Sequence, residues 1–312
     1  MIICVTPNPG VEHTVTVPNF RQGEVNRTTS VIAYTGGKGF NAARSIRMLE
    51  GNYCNLSIAG GHSGAMVKEM LAAEGLHAEW TTIDQEIRFV MIVLDPAQGD
   101  ATVVNEEGPT LSQVEWQQFT ADAIRLGKGA SALCLGGSLP GATPASWLGE
   151  MVGAIQQAGI PVWIDNRGKA LELALPYKPA GIKFNGKEAA TLLGGREIND
   201  AASALAAAQL FRQRGIENVN ITLGEKGAIL LNQRGGWVVR PPIYQPVNSA
   251  GSGDAFFGGL LHGLDSGATI PEALRIGAAA GAANALTPLA GQVRSVDYER
   301  AWKETVVEAL LG

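Results

Sequence analysis

Short β-rich runs alternate with longer segments of helical periodicity along most of the 312-residue chain. Six apolar runs have the length and composition of buried strands, and helical segments separate most of them. The runs are IICVT, NLSIA, ALCLG, VWID, IKF and NVNITL, and the helical segments include residues 40–50, 66–74, 112–126 and 201–214. Because parallel strands need a crossover connection, usually a helix, this order predicts an α/β fold with a mostly parallel central sheet and helices on both faces.

Two segments, 11–35 and 88–105, interrupt this alternation. Stretches such as HTVTVPNF and RFVMIVLD alternate in polarity with no helix between them, which is typical of antiparallel strands. The two insertions could pair into one small β lid beside the main domain, or they could form edge strands of the main sheet. Without repeats or low-complexity linkers, residues 1–312 are predicted to form a single domain with two lid insertions.

Charge and cysteine usage indicate the kind of partner and the compartment. A net charge of −5 argues against nucleic acid or anionic membrane as a partner, because such binding needs a basic excess. Cys4, Cys54 and Cys134 are widely spaced in strand-like runs, the pattern of small buried hydrophobic residues in a reducing compartment. No signal peptide or membrane span is evident, so we expect a cytoplasmic protein with a small-molecule partner.

The stretch AGSGD, residues 250–254, precedes the apolar helical segment AFFGGLLHGL. Gly251, Ser252 and Gly253 let the backbone turn tightly and approach an anion closely, and Asp254 follows at the predicted helix start. Asp254 could be a plain N-cap. A cap, however, needs no loop stripped of side chains, whereas a phosphoryl group in transfer needs N–H donors and a base for the attacking hydroxyl.

A second glycine cluster, TGGKGFNAAR, begins at Thr35. It is not a Walker A loop, because Lys38 is followed by glycine, and it lacks the acidic residue that a dinucleotide fingerprint needs about twenty positions later. We interpret Gly37, Lys38 and Asn41 as approaching a polar substrate; the alternative is a tight turn before a helix.

Two further turns follow strand-like runs. GGSLPG, which contains Ser138, misses the nucleophile-elbow pattern of serine hydrolases. NGKE begins a helix after IKF, and its Asn185 and Glu188 could be caps or could hold the water shell of Mg²⁺.

Together these motifs resemble those of the PfkB, or ribokinase-like, family of carbohydrate kinases. The resemblance covers nearly the whole chain through TPNPGVE, TGGKGFNAAR, GGSLPG, DNRGKAL, NGKE, TLGEKGAIL and AGSGDAFFGGLL. TPNP resembles the branch of 1-phosphofructokinases and tagatose-6-phosphate kinases. The resemblance implies a ribokinase-like fold, ATP as phosphoryl donor and Mg²⁺ as cofactor.

The family pattern also implies roles for particular residues. Asp254 would be the base that deprotonates the sugar hydroxyl, and residues 251–253 would form the anion hole. Asn185 and Glu188 would hold Mg²⁺ through water. The implied ATP-site residues are Asn185, Thr222, Gly224 and Asn284, and the predicted sugar ligands are Glu12, Gly37, Lys38, Asn41, Arg88 and Ser138.

Lys38 and Arg88 are predicted to bind a phosphate already on the sugar, and Arg27 is a weaker candidate; the alternative for each is a solvated surface charge, which is the favoured interpretation of Arg27. Three departures from the family pattern stand out. Glu12 replaces the usual Asp, Phe184 replaces the usual proline before Asn185, and Asn166-Arg167 replaces small hydroxyl residues. Arg167 could add a phosphate contact or lie on the surface.

The main hypothesis is an Mg²⁺- and ATP-dependent kinase of a sugar phosphate, with fructose 1-phosphate first and tagatose 6-phosphate or fructose 6-phosphate next. The alternatives are a kinase of a free sugar or nucleoside and a non-catalytic sugar or nucleotide sensor. A homodimer through paired lids is expected from the resemblance, with the apolar side chains of Val15, Val17, Val90 and Ile92 facing the partner or the substrate.

Overall fold

A computed structural model describes residues 1–98 and 100–311. Gly99, inside the second predicted insertion, and Gly312, the last residue of the predicted domain, lie outside the described residues. The strands of the main sheet are β1 (Ile2–Thr6), β4 (Tyr53–Ala59), β5 (Ala78–Thr82), β8 (Ala132–Gly136), β9 (Val162–Asp165), β10 (Gly181–Asn185), β11 (Asn218–Thr222), β12 (Ala228–Asn232), β13 (Gly235–Arg240) and β14 (Val306–Leu311). Those of a second, smaller sheet are β2 (Gly10–Thr16), β3 (Ser30–Gly36), β6 (Arg88–Asp95) and β7 (Asp100–Asn105).

Helices occupy the connections between most strands of the main sheet. They are α1 (Lys38–Met48), α2 (Gly61–Ala73), α3 (Gln113–Gly127), α4 (Ser146–Gln157), α5 (Gly168–Ala174), α6 (Gly186–Leu192), α7 (Ala201–Gln213), α8 (Ser252–Asp265), α9 (Ile270–Asn284) and α10 (Ser295–Glu304). Within the two described ranges, no helix is long and apolar enough to cross a membrane.

The main sheet has the strand order β14-β13-β12-β11-β10-β9-β8-β1-β4-β5. Its strands run parallel from β5 to β11, as the alternation predicts, and β12, β13 and β14 complete it in antiparallel orientation. All five residues of β1 are buried, because helices cover both faces of this central strand. The carboxyl ends of the parallel strands therefore meet at one edge, where ligands bind in open α/β sheets.

Helices α8 and α9 pack tightly because glycines lie at their contact. A Cβ atom at Gly259 would lie 3.0 Å from the Cα atom of Gly277, and one at Gly263 would lie 2.7 Å from Ala273 Cα. The aromatic rings of Phe256 and Phe257, on the same helix, are buried in the core. This packing fixes the position of the first turn of α8, which carries Asp254.

The two insertions form a separate four-stranded sheet of order β3-β2-β6-β7, so the edge-strand alternative is wrong. Each insertion is an antiparallel hairpin, as the alternating polarity predicts. The two hairpins join through β2 and β6, which pair in parallel with Gly10 opposite Arg88. We call this sheet the lid.

Most of the lid residues that were predicted to face a partner or the substrate have little exposure to solvent. Val17, Val90 and Ile92 are buried within the chain at 6%, 4% and 8% exposure, and Val15 is half-buried. Successive residues of a strand point to opposite faces, and Val90 and Ile92 lie on the face that also carries Glu12 and Tyr34. The exposed apolar side chains on the other face are Val31, Phe89, Met91 and Val104.

Candidate active site

The start of α8 is built from backbone rather than from side chains. Gly251 is the N-cap residue with φ 79°, and no side chain caps the helix. Asp254 lies in the first turn, where its buried carboxylate accepts a hydrogen bond from Asn41 Nδ2 at 2.8 Å. The plain N-cap interpretation of Asp254 is therefore wrong, and its carboxylate is positioned by α1 instead.

The small residues around Asp254 have a steric cause. A Cβ atom at Gly251 would lie 2.5 Å from the backbone nitrogen of Gly291, and one at Gly253 would lie 2.9 Å from Lys183 Nζ. A left-handed φ also favours glycine at position 251. The result is a helix N-terminus open to an anion beside a buried carboxylate.

A buried aspartate joins two lysines beside this helix start. Asp165, 1% exposed at the end of β9, accepts from Lys38 Nζ at 2.7 Å and from Lys183 Nζ at 2.6 Å. Burial alone would raise the pKa of Asp165, but the two ammonium groups lower it below its ordinary value. Burial alone would lower the pKa of Lys38, whereas Asp165 and Asp254 raise it. The group carries a net positive charge, which suits phosphate.

Asp254 titrates unlike a surface carboxyl group. Burial raises the pKa of Asp254 to about 6; Lys38 opposes the shift and Asp165 adds to it. A carboxylate with a pKa near neutral is a better proton acceptor at physiological pH than an ordinary aspartate. The raised pKa suits Asp254 for accepting a proton at neutral pH.

A cleft of about 680 Å³ opens from Asp254 toward α9. Both lysines line its charged end, together with Ser252, Gly253 and Asp254. Thr222 and Gly224, two of the predicted ATP-site residues, also line the cleft. Its remaining lining includes Pro241, Pro242, Ile243, Tyr244 and Pro246 from the segment after β13 and Ala278, Gly281, Ala282 and Ala285 from the end of α9 and the residue after it.

Asn284, also predicted to line this site, does not do so. Its side chain is fully buried and holds the loop after α9 through hydrogen bonds from Nδ2 to the backbone oxygens of Leu289 and Gln292. Its Oδ1 accepts from Ser252 Oγ at 3.2 Å. Because these hydrogen bonds use both the oxygen and the nitrogen of its amide, Asn284 stabilises the start of α8 through Ser252 rather than contacting the cleft.

Asn185 and Glu188 line the cleft and also form a capping box at the start of α6. Asn185 Oδ1 accepts from the Glu188 backbone nitrogen, and Glu188 Oε2 accepts from that of Asn185, each at 2.9 Å. The capping interpretation of NGKE is confirmed, and both residues also line the cleft, while a role in holding the water shell of Mg²⁺ stays a prediction. Such hard oxygens suit Mg²⁺ held through water.

The predicted sugar-binding residues lie between the lid and the same helix start. Arg88 donates from NH2 to the backbone oxygen of Asn8 at 3.1 Å, and Asn8 Nδ2 donates to Ser138 Oγ at 3.1 Å. Gly37, with φ 142°, begins α1 and so places Lys38 and Asn41 beside Asp254. Within the predicted set, Asn41 thus contacts Asp254 and Lys38 contacts Asp165. Ser138 contacts Asn8.

Glu12 faces the gap between the lid and α1. A Cβ atom at Gly36 would lie 2.1 Å from Glu12 Oε1, so the longer acid is accommodated because position 36 is glycine. Glu12 lies opposite Tyr34 in the β2–β3 register. Burial, with Glu12 nearby, raises the pKa of Tyr34.

Several buried polar atoms near the lid have no hydrogen-bond partner among the described residues. They include Arg88 Nε, Asn8 Oδ1, Thr6 Oγ1 and Tyr34 Oη. Such atoms cost free energy unless a ligand or water satisfies them, and a polyhydroxylated ligand offers partners of both kinds.

The remaining cationic candidates differ in position. Arg27 lies exposed in the connection between β2 and β3. Arg167 is exposed at the N-cap of α5, and its neighbour Asn166 donates to the backbone oxygen of Gly137, next to Ser138.

Sequence reasoning assigned no role to Asp165, Lys183, Asn8 or Arg44. Arg44 donates to Asn41 Oδ1 at 2.7 Å and pairs with Glu74, which fixes the amide that holds Asp254. Asp165 ends an ordinary buried strand run and Lys183 lies within another, so no local pattern marks either residue. A lysine within the apolar run IKF was the one available signal.

A parallel sheet with a β lid and a bare helix start beside a buried aspartate defines the class of ribokinase-like sugar kinases. The model of the pfkB family of carbohydrate kinases matches residues 11–294, and the chain belongs to this family. A ribokinase structure from Thermotoga maritima, 20% identical, shares the fold with a TM-score of 0.77 over 97% of this chain and 99% of its own.

Several relatives extend over nearly the whole chain. A 1-phosphofructokinase of Bacillus subtilis is 30% identical over 92% of this chain and 93% of its own length. A tagatose-6-phosphate kinase of Staphylococcus epidermidis is 28% identical over 98% and 99%. The crystal structure of phosphofructokinase-2 from Escherichia coli with fructose-6-phosphate superposes with a TM-score of 0.89 at 27% identity, covering 97% and 98%.

Proposed function

We propose that this carbohydrate kinase transfers the γ-phosphoryl group of ATP to a phosphorylated ketohexose, with fructose 1-phosphate as first choice and tagatose 6-phosphate or fructose 6-phosphate next. The observation that carries the proposal is the buried Asp254, held by Asn41 at the open N-terminus of α8, between the cleft and the lid. The relatives named 1-phosphofructokinase and tagatose-6-phosphate kinase support this substrate class.

In the proposed reaction, Asp254 accepts the proton of the attacking sugar hydroxyl as the new O–P bond forms and the bond to ADP breaks. The first turn of α8 binds the negatively charged phosphoryl group through backbone N–H groups, with Lys183 Nζ beside Gly253. Phosphoryl transfer asks a protein mainly for positioning and for stabilisation of charge. The residues present supply both.

Asn185 and Glu188 would hold Mg²⁺ through its water shell at the cleft. No cluster of three or more His, Cys, Asp or Glu side chains that could hold a metal ion is found in the described part of the chain. When bound, Mg²⁺ would neutralise the charge of the ATP phosphates.

The direct test is ADP release with Mg²⁺ and ATP across matched acceptors: fructose, fructose 1-phosphate, fructose 6-phosphate, tagatose, tagatose 6-phosphate and ribose. Turnover restricted to phosphorylated ketohexoses supports the proposal. Preference for free sugars would leave a kinase of another substrate class, and silence across the panel with intact ATP binding would support a sensor.

Lys38 and Arg88 are expected to bind the phosphate already on the sugar. Lys38→Ala and Arg88→Ala should each raise KM for the sugar phosphate by roughly 10- to 100-fold, because each removes a charge-assisted hydrogen bond to that phosphate. Arg21→Ala, which removes an exposed cation from the connection between β2 and β3 of the lid, is the matched control. An equal loss with the corresponding free sugar would contradict a phosphate role.

The pH dependence of the reaction should follow the protonation of Asp254. Because the base works only as carboxylate, kcat/KM should rise with pH through an acid limb at about pH 6. Lys38→Met removes a charge that favours the carboxylate, so its limb should move to higher pH. Lys169→Met, at a surface pair with Glu172, should leave the limb in place. A limb near pH 4 in the unmodified enzyme would refute the raised pKa.

We propose that the exposed lid face formed by Val31, Phe89, Met91 and Val104 mediates a homodimer, in place of the predicted Val17, Val90 and Ile92. Met91→Asp should halve the mass measured by light scattering, because it places a charge within an apolar interface. Val114→Asp, at a 73% exposed apolar residue on α3, is the control. A monomeric mass for the unmodified protein would refute the dimer.

A further inference from the structure

The segment from Pro241 to Val247, which we call the proline loop, contributes Pro241, Pro242, Ile243, Tyr244 and Pro246 to the lining of the cleft. Its sequence PPIYQPV contains three prolines. They restrict the backbone and so lower the conformational-entropy cost of holding the loop in one conformation. At its end, the Val247 backbone nitrogen donates to the Ala285 oxygen at 2.8 Å. The loop is thus joined to the end of α9.

One side chain of the proline loop is anchored to α10. The guanidinium carbon of Arg300 lies 4.6 Å from the centre of the Tyr244 ring, and Tyr244 Oη donates to Glu304 Oε2 at 3.2 Å. Arg300 Nε in turn lies 3.3 Å from Glu304 Oε1. The ring is therefore held by a cation on its face and a carboxylate at its hydroxyl. Burial and Glu304 raise the pKa of Tyr244, which keeps the hydroxyl protonated as a donor.

The lining of the cleft is part charged and part apolar. Lys183 and the start of α8 suit a polyphosphate. The apolar part comes from the small residues Ala278, Gly281 and Ala282 of α9 and Ala285 just after it, and from the proline loop, on which Ile243 is 74% exposed. An apolar lining of this kind fits a planar base.

We propose that Tyr244 is a positioning residue for the nucleotide base: held by Arg300 and Glu304 of α10, it fixes the proline loop so that Ile243 and its prolines pack against the base opposite α9. This inference rests on the proposed use of ATP in this cleft. Helix α10 contributes no residue to the described lining of the cleft. The inference gives this helix a role in nucleotide affinity through one aromatic side chain, that of Tyr244.

The test separates the base from the phosphates. Tyr244→Ala and Arg300→Met are expected to raise Kd for ATP by roughly three- to tenfold, the effect of losing one cation–π anchor. Kd for inorganic tripolyphosphate and KM for the sugar should stay within about twofold, because neither ligand contacts the loop. Tyr244→Phe, which keeps the ring over Arg300, should fall between these variants and the unmodified enzyme.

Trp302→Ala provides the matched control. Arg275 stacks on Trp302 at 4.4 Å, so this variant removes an equivalent contact between α9 and α10 that lies outside the cleft. It should lower Tm and leave Kd for ATP unchanged. Equal losses of ATP and tripolyphosphate affinity in Tyr244→Ala, or no loss of either, would overturn the inference alone. Failure of the unmodified protein to bind ATP would overturn the proposed function and this inference together.

Discussion

Replacing Asp254 with Asn is expected to lower kcat by roughly 10²–10⁴-fold while nucleotide binding is largely kept. The amide has the size of the carboxylate and can still present an oxygen to Asn41 Nδ2, so the geometry of the helix start should survive. It cannot accept the proton of the sugar hydroxyl. Single-turnover rates with saturating ATP and sugar phosphate, together with calorimetric Kd values for ATP, measure the two effects separately.

Asp254→Asn is also expected to stabilise the folded protein, so its loss of activity could not be explained by misfolding. Because folding raises the pKa of Asp254 from 3.8 to about 6, the charged carboxylate opposes folding at neutral pH, and this cost falls as the pH drops below about 6 and is gone below 3.8. Asp254→Asn should therefore raise the free energy of unfolding at pH 7 by on the order of 2–3 kcal/mol. Asp297→Asn, at a surface pair with Arg294, is the control for both readings. Near-normal turnover in Asp254→Asn would remove the base assignment.

Replacing Asp165 with Asn is expected to lower the free energy of unfolding by roughly 3–5 kcal/mol, because it leaves two ammonium groups without their buried counter-charge. Lys38, whose side chain is 33% exposed, can turn toward water, but Lys183 at 6% cannot. Urea denaturation at pH 7 measures the loss. Glu172→Gln, at the surface pair with Lys169, should change stability by less than about 1 kcal/mol.

A double variant tests whether the buried charge is the cause. Adding Lys183→Met to Asp165→Asn removes the cation that cannot rehydrate, so the pair should be more stable than Asp165→Asn alone. Losses that simply add would show that Asp165 and Lys183 contribute to stability independently. That result would contradict the charge explanation.

The parallel half of the sheet could be predicted because its signals are local. IICVT, ALCLG and VWID are short apolar runs separated by helical segments, and each forms a strand within a residue or two of the predicted bounds. The lid hairpins likewise show in alternating polarity. Their parallel junction between β2 and β6 could not be predicted, since it joins residues more than seventy positions apart that carry no complementary pattern.

The start of α2 shows why a boundary can escape local reasoning. The helix begins at Gly61, ahead of the predicted Met66, in a stretch of glycines that gives little helix signal. Its first N–H groups are satisfied from outside: Glu86 accepts from the backbone nitrogens of His62 and Ser63. The cap comes from a residue beyond the next strand, so no sequence window around the helix contains it.

Some residues of the candidate site could likewise be predicted from the sequence, and others could not. The glycines and the aspartate of AGSGD and the turn at Lys38 could be found from the sequence. A backbone that approaches an anion closely needs glycines, and a cluster of glycines is visible in the sequence. Asn284 was misplaced because a motif gives position along the chain but not the direction of a side chain, which here turns into the core. Asp165 was missed because its importance comes from two lysines brought to it by separate elements.

The order of strands in the main sheet has a kinetic consequence. From β9 to β13 every strand lies beside its neighbour in sequence, so these pairings need shorter loop closures than the pairing of β1 with β8. Strand β1 lies between β4 and β8, where Ile2 pairs with Ala132, and this contact closes a long stretch of chain. Refolding should therefore begin with the strands from β9 to β13 and proceed toward β4 and β5. Insertion of β1 between β8 and β4 should be the slow step that joins the two parts of the sheet.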